Sequence, residues 1–253
     1  MRSKRVASLL VAAGAGIGDV SQAQGAAVDI IFASDFFSGS ALQWVRRNPR
    51  AGGATIALAP ALVSAVKLSN GGADMTLYLQ VPPARNHESD YPHFSALKTF
   101  GPSNPSPPVI GDCVIAQGTI ALFRGATELS PATITATAGA DCGGSPLTPY
   151  STTISDIGIN ASFQPGPSAE GLESVLVTLN PVQVLHADFE SFTIGDGSLF
   201  TVFVGSYFYQ YFAAQGSHLQ IIGVLDQSDL TTPSPATFYQ LLPRAASDIV
   251  VLP

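Results

Sequence analysis

Charged side chains are scarce in this sequence. Asp, Glu, Lys and Arg make up 11% of its residues, against about a quarter in an average soluble domain. Helical periodicity is absent beyond the first twenty residues. Instead, 24 glycines and 19 prolines separate short runs rich in Val, Ile, Thr, Phe and Tyr. Few charges, many turn formers and β-branched runs predict an all-β protein with little helix.

Basic residues are fewer than acidic ones, with 11 Lys and Arg against 18 Asp and Glu. Three of the basic residues stand at positions 2–5, before the apolar run Val6–Ile17 and the small-x-small motif at 21–23. This arrangement is typical of a cleavable signal peptide, so residues 1–23 are predicted to direct export to a secreted or periplasmic location. An apolar run of about 12 residues is too short for a membrane span, which needs about 20.

Removal of that segment takes away three basic residues and one acidic residue, Asp19. The remaining 8 basic and 17 acidic residues give a net charge of −9, compared with −7 for the whole chain. Nucleic-acid affinity depends mainly on Lys and Arg contacts with phosphates. The charge balance therefore disfavours unaided binding of DNA or RNA.

Only two cysteines occur, Cys113 and Cys142. In an oxidising compartment an even pair predicts one disulfide. Two distant cysteines offer too few ligands for a structural zinc ion.

Signatures of catalysis are missing as well. No Gly-x-Ser-x-Gly elbow is present, and the four histidines are scattered along the chain. Several glutamates could form a glycosidase-type pair, but none is distinguished by its context. These observations favour a non-catalytic protein without a cofactor. A hydrolase whose carboxylates meet only in the fold is left as an alternative.

Two polar stretches could supply metal ligands. His87, Glu88, Asp90 and His93 lie in one loop, but their spacing matches no metal motif, so a solvated loop is favoured. Asp188, Glu190 and Asp196-Gly197 could offer oxygens to calcium without the spacing of an EF-hand. Asp196-Gly197 is more typical of a hairpin turn.

An internal repeat organises the chain. In the segment Val109–Leu129, Gly111 precedes an alternating strand that Gly118 interrupts, which predicts a bulge or bend in a strongly curved barrel. Gly216 and Gly223 have the same spacing 105 residues further on. A repeat of this length predicts two similar β domains.

Three motifs carry a resemblance to a known family. These are Gly111-Asp112-x-Val114-x-x-x-Gly118-Thr119-Ile120 with Thr127-Glu128-Leu129, Glu170-Gly171-Leu172-x-x-x-Leu176-Val177, and Leu242-Pro243-Arg244-Ala245-Ala246-x-Asp248-Ile249. In this order they resemble the OB-fold region of bacterial extracellular nucleases and related secreted proteins. The resemblance spans about residues 54–250 and includes no match to the metal-dependent endonuclease/exonuclease/phosphatase domain of that family, so no catalytic residue is transferred.

The resemblance implies two OB-like β-barrels in tandem, with Greek-key strands, long loops and little helix. A lead-in or linker is predicted at 24–53, the first barrel at 54–138, a crossover loop at 139–167 and the second barrel at 168–253. A truncated or split nuclease relative that lacks its catalytic domain is the second functional hypothesis.

A tyrosine-rich run indicates where a ligand would bind. If residues 199–212 form one strand, then Tyr207, Tyr209 and Tyr211 share one face, and Phe208 and Phe212 share the other. A tyrosine platform on an OB barrel suits a ligand that stacks on rings, although a plain strand with no ligand is the simpler interpretation. The leading hypothesis is a secreted binding or scaffolding protein whose partner is a neutral glycan or another protein.

Overall fold

The computed structural model describes residues 53, 55–85, 90–229 and 237–253. The predicted signal peptide and all but residue 53 of the predicted lead-in lie outside these residues. Strands are the main secondary structure of the described part, as predicted, and its two α-helices, α1 and α2, are single turns. Neither of them could cross a membrane. The helices span Ile154–Ile157 and Ala169–Leu172.

The first barrel is a closed ring of five strands in the order β2-β3-β4-β6-β5, with a short strand β1 alongside β5. All neighbours are antiparallel except β4 and β6, which are parallel. Five strands closed in this Greek-key order form an OB-like barrel. The strands are β1 Thr55–Ala57, β2 Ala61–Ser69, β3 Asp74–Gln80, β4 Ala96–Pro102, β5 Cys113–Phe123 and β6 Ala126–Ala136.

The second barrel repeats this arrangement in the order β9-β10-β11-β13-β12, again closed and again with one parallel pair, β11 and β13. Strand β14 extends the sheet beyond β12, while β7 and β8 pair with β9 and β11. The predicted pair of OB-like barrels is therefore confirmed. These strands are β7 Tyr150–Ser151, β8 Ile159–Asn160, β9 Leu176–Ala187, β10 Ser191–Gly195, β11 Phe200–Gly205, β12 His218–Asp229, β13 Thr237–Leu242 and β14 Ile249–Leu252.

The glycine repeat occupies the same strand of both barrels, β5 and β12. Gly118 pairs with Ile56 on one neighbour, and Gly223 pairs with Val177. The register of β5 against β6 shifts just after Gly118, which confirms the predicted irregularity there. The backbone hydrogen bond from the turn glycine is also conserved between barrels, because Gly111 N donates to Val63 O at 2.9 Å and Gly216 N donates to Val184 O at 2.8 Å.

Each barrel encloses its own apolar core, formed by alternate residues of its strands. The predicted disulfide is present: Cys113 at the start of β5 is bonded to Cys142, with the Cα atoms 5.9 Å apart. It ties the short 3-10 turn Gly139–Cys142 back to the first barrel, and both cysteines are buried beside Leu62.

Candidate functional site

The outer face of β3 is the surface against which the second barrel packs. Met75, Leu77 and Leu79 point into the first barrel's core, so the alternate residues Thr76, Tyr78 and Gln80 point outward. All three outward residues are nevertheless buried. Tyr78 belongs to an apolar cluster shared with residues of β9, β12 and β13.

The lower half of this face is closed by contacts between the barrels. Gln80 Oε1 accepts a hydrogen bond from Leu176 N at 3.0 Å, at the first residue of β9. Glu173, which is fully buried, accepts from Thr127 N at 3.3 Å. With its amide nitrogen facing the two acceptors, Gln227 donates to Gly125 O and Glu173 Oε2 at 3.1 and 3.2 Å.

Arg244 joins the end of the second barrel to β2. Its Nε and Nη2 atoms donate to the two oxygens of Asp248, each at 2.8 Å, and Nη1 donates to Ser64 O at 3.0 Å. Arg244 and Asp248 belong to the last of the three sequence motifs. Part of the family-like pattern therefore maintains the packing of one barrel on the other.

The upper half of the same face is open and forms a groove between the barrels, with a volume of about 480 Å³. The first barrel contributes Lys98 and Phe100 of β4, in addition to Thr76 and Tyr78. The second barrel contributes groups from β12, β13 and the segment that follows β11. The other lining residues include Phe123, Arg124, Glu128, Ser130, Tyr207, Asp226 and Gln240. We call this space the inter-barrel groove.

Asp226 is the centre of the polar floor of the inter-barrel groove. Its Oδ1 accepts from Tyr78 Oη at 2.8 Å and from Lys98 Nζ at 3.4 Å, and its Oδ2 accepts from Gln240 Nε2 at 3.2 Å. Burial raises the pKa of Tyr78 well above its ordinary value, and the adjacent Asp226 carboxylate raises it further. Tyr78 is therefore held as a neutral hydrogen-bond donor to Asp226.

Glu128 is the second carboxylate of the floor. It lies on β6 opposite Lys98 of β4 and is only 5% exposed. Burial raises the pKa of Glu128 above its ordinary value, and Asp226 adds to that effect. Lys98 and a hydrogen bond from Ser130 act in the opposite direction without cancelling the shift in pKa.

Aromatic rings form the walls of the groove. Tyr207, Phe100 and Phe123 are 39%, 38% and 51% exposed. Tyr207 Oη donates to Thr76 Oγ1 at 3.2 Å, which fixes the ring against the first barrel. Lys67 lies 5.5 Å from the centre of the Tyr207 ring, and Arg124 lies 5.4 Å from that of Phe123. The groove thus combines partly exposed rings with a buried, hydrogen-bonded polar floor.

The predicted tyrosine platform is wrong in its geometry. Strand β11 ends at Gly205, and residues 206–217 follow as an irregular segment. Of the three tyrosines, only Tyr207 lines the inter-barrel groove, because Tyr209 and Tyr211 pack against the second barrel's core.

The phenylalanines of that segment do not share a face either. Phe208 packs edge-on against Tyr78, with ring centres 5.7 Å apart. Phe212 is 65% exposed and contacts the ring of Phe189 instead. Strand alternation fails here because residues 206–217 contact both barrels and pair with no strand in the described part of the chain.

The candidate metal ligands are not brought together within the described residues. His87 and Glu88 lie outside them. His93 Nδ1 is 2.9 Å from the backbone oxygen of Asp90, and its ring lies beside that of Tyr150. No group of three or more His, Cys, Asp or Glu that could hold a metal ion occurs in the described part of the chain.

The proposed calcium oxygens serve a turn. Asp196 Oδ1 accepts from Ser198 N at 3.0 Å, and Gly197 has a φ of +87°, in the hairpin that joins β10 to β11. Asp188 forms an exposed contact of 3.2 Å with His186.

Compared with known proteins, the chain matches no family model and no curated protein at a significant level. The resemblance to extracellular nucleases consequently stays a prediction from the quoted motifs.

The sequence reasoning missed most of the groove. Lys98, Phe100 and Asp226 occupy unremarkable positions in two alternating strands, β4 and β12, and Glu128 stands out only as part of a motif. Their common signal is a polar or aromatic side chain on the outward face of a strand. That signal becomes informative only once the barrel topology shows which outward faces meet.

Proposed function

We propose that this chain is an exported, non-catalytic protein that binds a glycan in the inter-barrel groove. The observation that carries the proposal is the combination of exposed rings with a buried polar floor in one concavity. A volume of about 480 Å³ is within the range of small-molecule sites, roughly 300–1,000 Å³.

Sugars match both parts of such a site. The apolar C–H face of a pyranose ring packs on aromatic side chains, and its hydroxyl groups pair with carboxylates and amides. Tyr207 and Phe100 supply rings, and Glu128 supplies a carboxylate. OB barrels use this outer face and its loops for oligonucleotides and oligosaccharides, which supports the choice of this groove over other surfaces.

Charge supports a glycan over a nucleic acid. The chain carries a net charge of −7. Within the groove, Lys98 is engaged by Asp226, so it is not available as a free phosphate contact. A polyanion would meet repulsion both from the whole protein and from the floor.

The proposal is tested by screening the purified protein on a glycan array and measuring the affinity of any positive glycan by calorimetry. Tyr207→Ala removes one wall of the groove, and Phe212→Ala removes an exposed ring elsewhere. Stacking on an aromatic side chain contributes about 1–3 kcal/mol in nucleic-acid complexes. The lower end of that range predicts roughly fivefold weaker binding for Tyr207→Ala and unchanged binding for Phe212→Ala.

An array without positives, or equal effects of the two variants, would contradict glycan binding in this groove. Magnesium-dependent degradation of DNA by the pure chain, abolished by a chelator, would contradict the non-catalytic assignment and favour the nuclease relationship.

A further inference from the structure

The charges on the floor of the inter-barrel groove are unequal in number. Two carboxylates, Asp226 and Glu128, line the groove together with Lys98, whose ammonium group is paired with Asp226, and with Arg124, whose guanidinium lies over the Phe123 ring. Lys98 and Asp226 are the charged groups that act on Glu128. One cation therefore serves two buried anions, and one negative charge on the floor is left without a full counter-charge.

The two carboxylates differ in the number of hydrogen bonds that their oxygens accept. Asp226 accepts hydrogen bonds from Tyr78, Lys98 and Gln240, which engage both of its oxygens. Glu128 accepts from Ser130. An ionised carboxylate offers about four acceptor positions, so Glu128 retains capacity for a donor supplied by a ligand.

We propose that the glycan carries a protonated amino group, which the Glu128 carboxylate binds while the sugar ring packs between Tyr207 and Phe100. The ligand class is accordingly an amino sugar such as a glucosamine oligomer. This inference rests on the proposed function and specifies which glycans the groove selects.

Three further observations support a cationic group at this position. Buried anions are retained at low cost only when they are paired, and an ammonium group would supply the missing pair. The negative faces of aromatic rings attract cations. The nearby cations Lys67 and Arg124 already contact aromatic rings, those of Tyr207 and Phe123.

The experiment compares two matched ligands, a glucosamine tetramer and cellotetraose, which carries hydroxyl groups where the first carries ammonium groups. Titrations at about pH 6 keep an amino group of ordinary pKa protonated. The wild type is expected to bind the glucosamine oligomer roughly tenfold more tightly, as a hydrogen bond between charged groups predicts. Glu128→Gln is expected to remove that preference and leave the affinity for cellotetraose within about threefold.

Asp188→Asn is the control for net charge, because Asp188 is exposed and lies outside the groove. It is expected to retain the preference. If Glu128→Gln fails to fold, the wild type alone gives the answer: at about pH 9 the amino group is largely deprotonated, and the preference should disappear.

The outcomes separate the two proposals. Equal affinity of the wild type for both ligands, or a preference that survives in Glu128→Gln and at high pH, overturns the amino-sugar inference but leaves glycan binding intact. Failure of the wild type to bind any glycan overturns both.

Discussion

Tyr78 contributes to both the barrel interface and the groove floor. It is fully buried, packs against the edge of Phe208 and donates its hydroxyl to Asp226. Tyr78→Phe keeps the ring and removes one donor from a buried carboxylate, so it should lower the free energy of unfolding by about 1–3 kcal/mol. Urea denaturation measures this, with Tyr150→Phe, at an exposed ring, as the control. Equal stabilities of the two variants would show that the hydroxyl is dispensable.

Glu128 should reduce stability at neutral pH. Burial raises the pKa of Glu128 above 4.5. Just above pH 4.5, Glu128 therefore still holds its proton in the folded chain, whereas it has released it in the unfolded chain. The contribution of Glu128 to the free energy of unfolding is most favourable below about pH 4.5, and this advantage is lost as the pH rises through the pKa of the folded state. Glu128→Gln cannot ionise and should be more stable than the wild type at about pH 7.

Urea midpoints at about pH 4 and about pH 7 test this prediction, because the difference between the two proteins should widen with pH. A Glu128→Gln variant that is less stable than the wild type at neutral pH would indicate that the carboxylate is stabilised in the empty protein.

At the scale of the elements, Gly118 shows why the central strand of each barrel carries a glycine. A Cβ atom there would lie 2.6 Å from Pro131 O, on the backbone of β6. Gly118→Ala should therefore push β5 and β6 apart and cost about 1–3 kcal/mol. Gly139→Ala is the control, since its Cβ atom would meet nothing within 4 Å. Thermal unfolding of both variants checks the difference, and a neutral Gly118→Ala would contradict the close approach.

The repeat of this glycine is what made the two barrels predictable from sequence. Gly111 and Gly118 need conformations or spacings that few other residues tolerate, so the same pattern at Gly216 and Gly223 indicated a second copy of the strand.

The spacing of two prolines is a further sequence signal of the repeat. Pro60 and Pro181 are 121 residues apart, the same separation as Ile56 and Val177, which face the two repeated glycines.

The tyrosine-rich run could not be placed in the same way. Alternation of Tyr and Phe between 207 and 212 satisfies the period of a strand, but a period does not supply a pairing partner. Strand β11 ends at Gly205, and the rings that follow contact different parts of the two barrels: Phe208 packs on Tyr78, and Tyr209 and Tyr211 pack against the second core. Side chains of one short run consequently point in several directions.

At the scale of the whole molecule, the groove depends on contacts between distant parts of the chain. Asp226 is 148 residues from Tyr78 and 128 residues from Lys98. Neither separation has a local sequence signature, whereas the disulfide could be predicted because a pair of cysteines in a chain predicted to be exported has few other roles. The folds of the barrels were therefore predictable, and the site created by their packing was not.

The packing of the barrels should itself depend on Arg244. Its side chain is mostly buried, neutralises Asp248 through two 2.8 Å hydrogen bonds and reaches Ser64 O on the first barrel. Arg244→Met leaves the Asp248 carboxylate buried without its partner, and breaking such a pair costs about 3–5 kcal/mol. Arg244→Lys keeps the charge but not the paired geometry, so its loss should be intermediate.

A double variant separates the ion pair from the contact between barrels. Asp248→Leu added to Arg244→Met removes the unpaired charge, and replacing both partners of a buried pair is often nearly neutral. The double variant should therefore regain part of the stability lost in Arg244→Met when both are unfolded in urea. If it is no more stable than the single variant, the lost free energy comes from the hydrogen bond to Ser64 and the packing of the second barrel on β2.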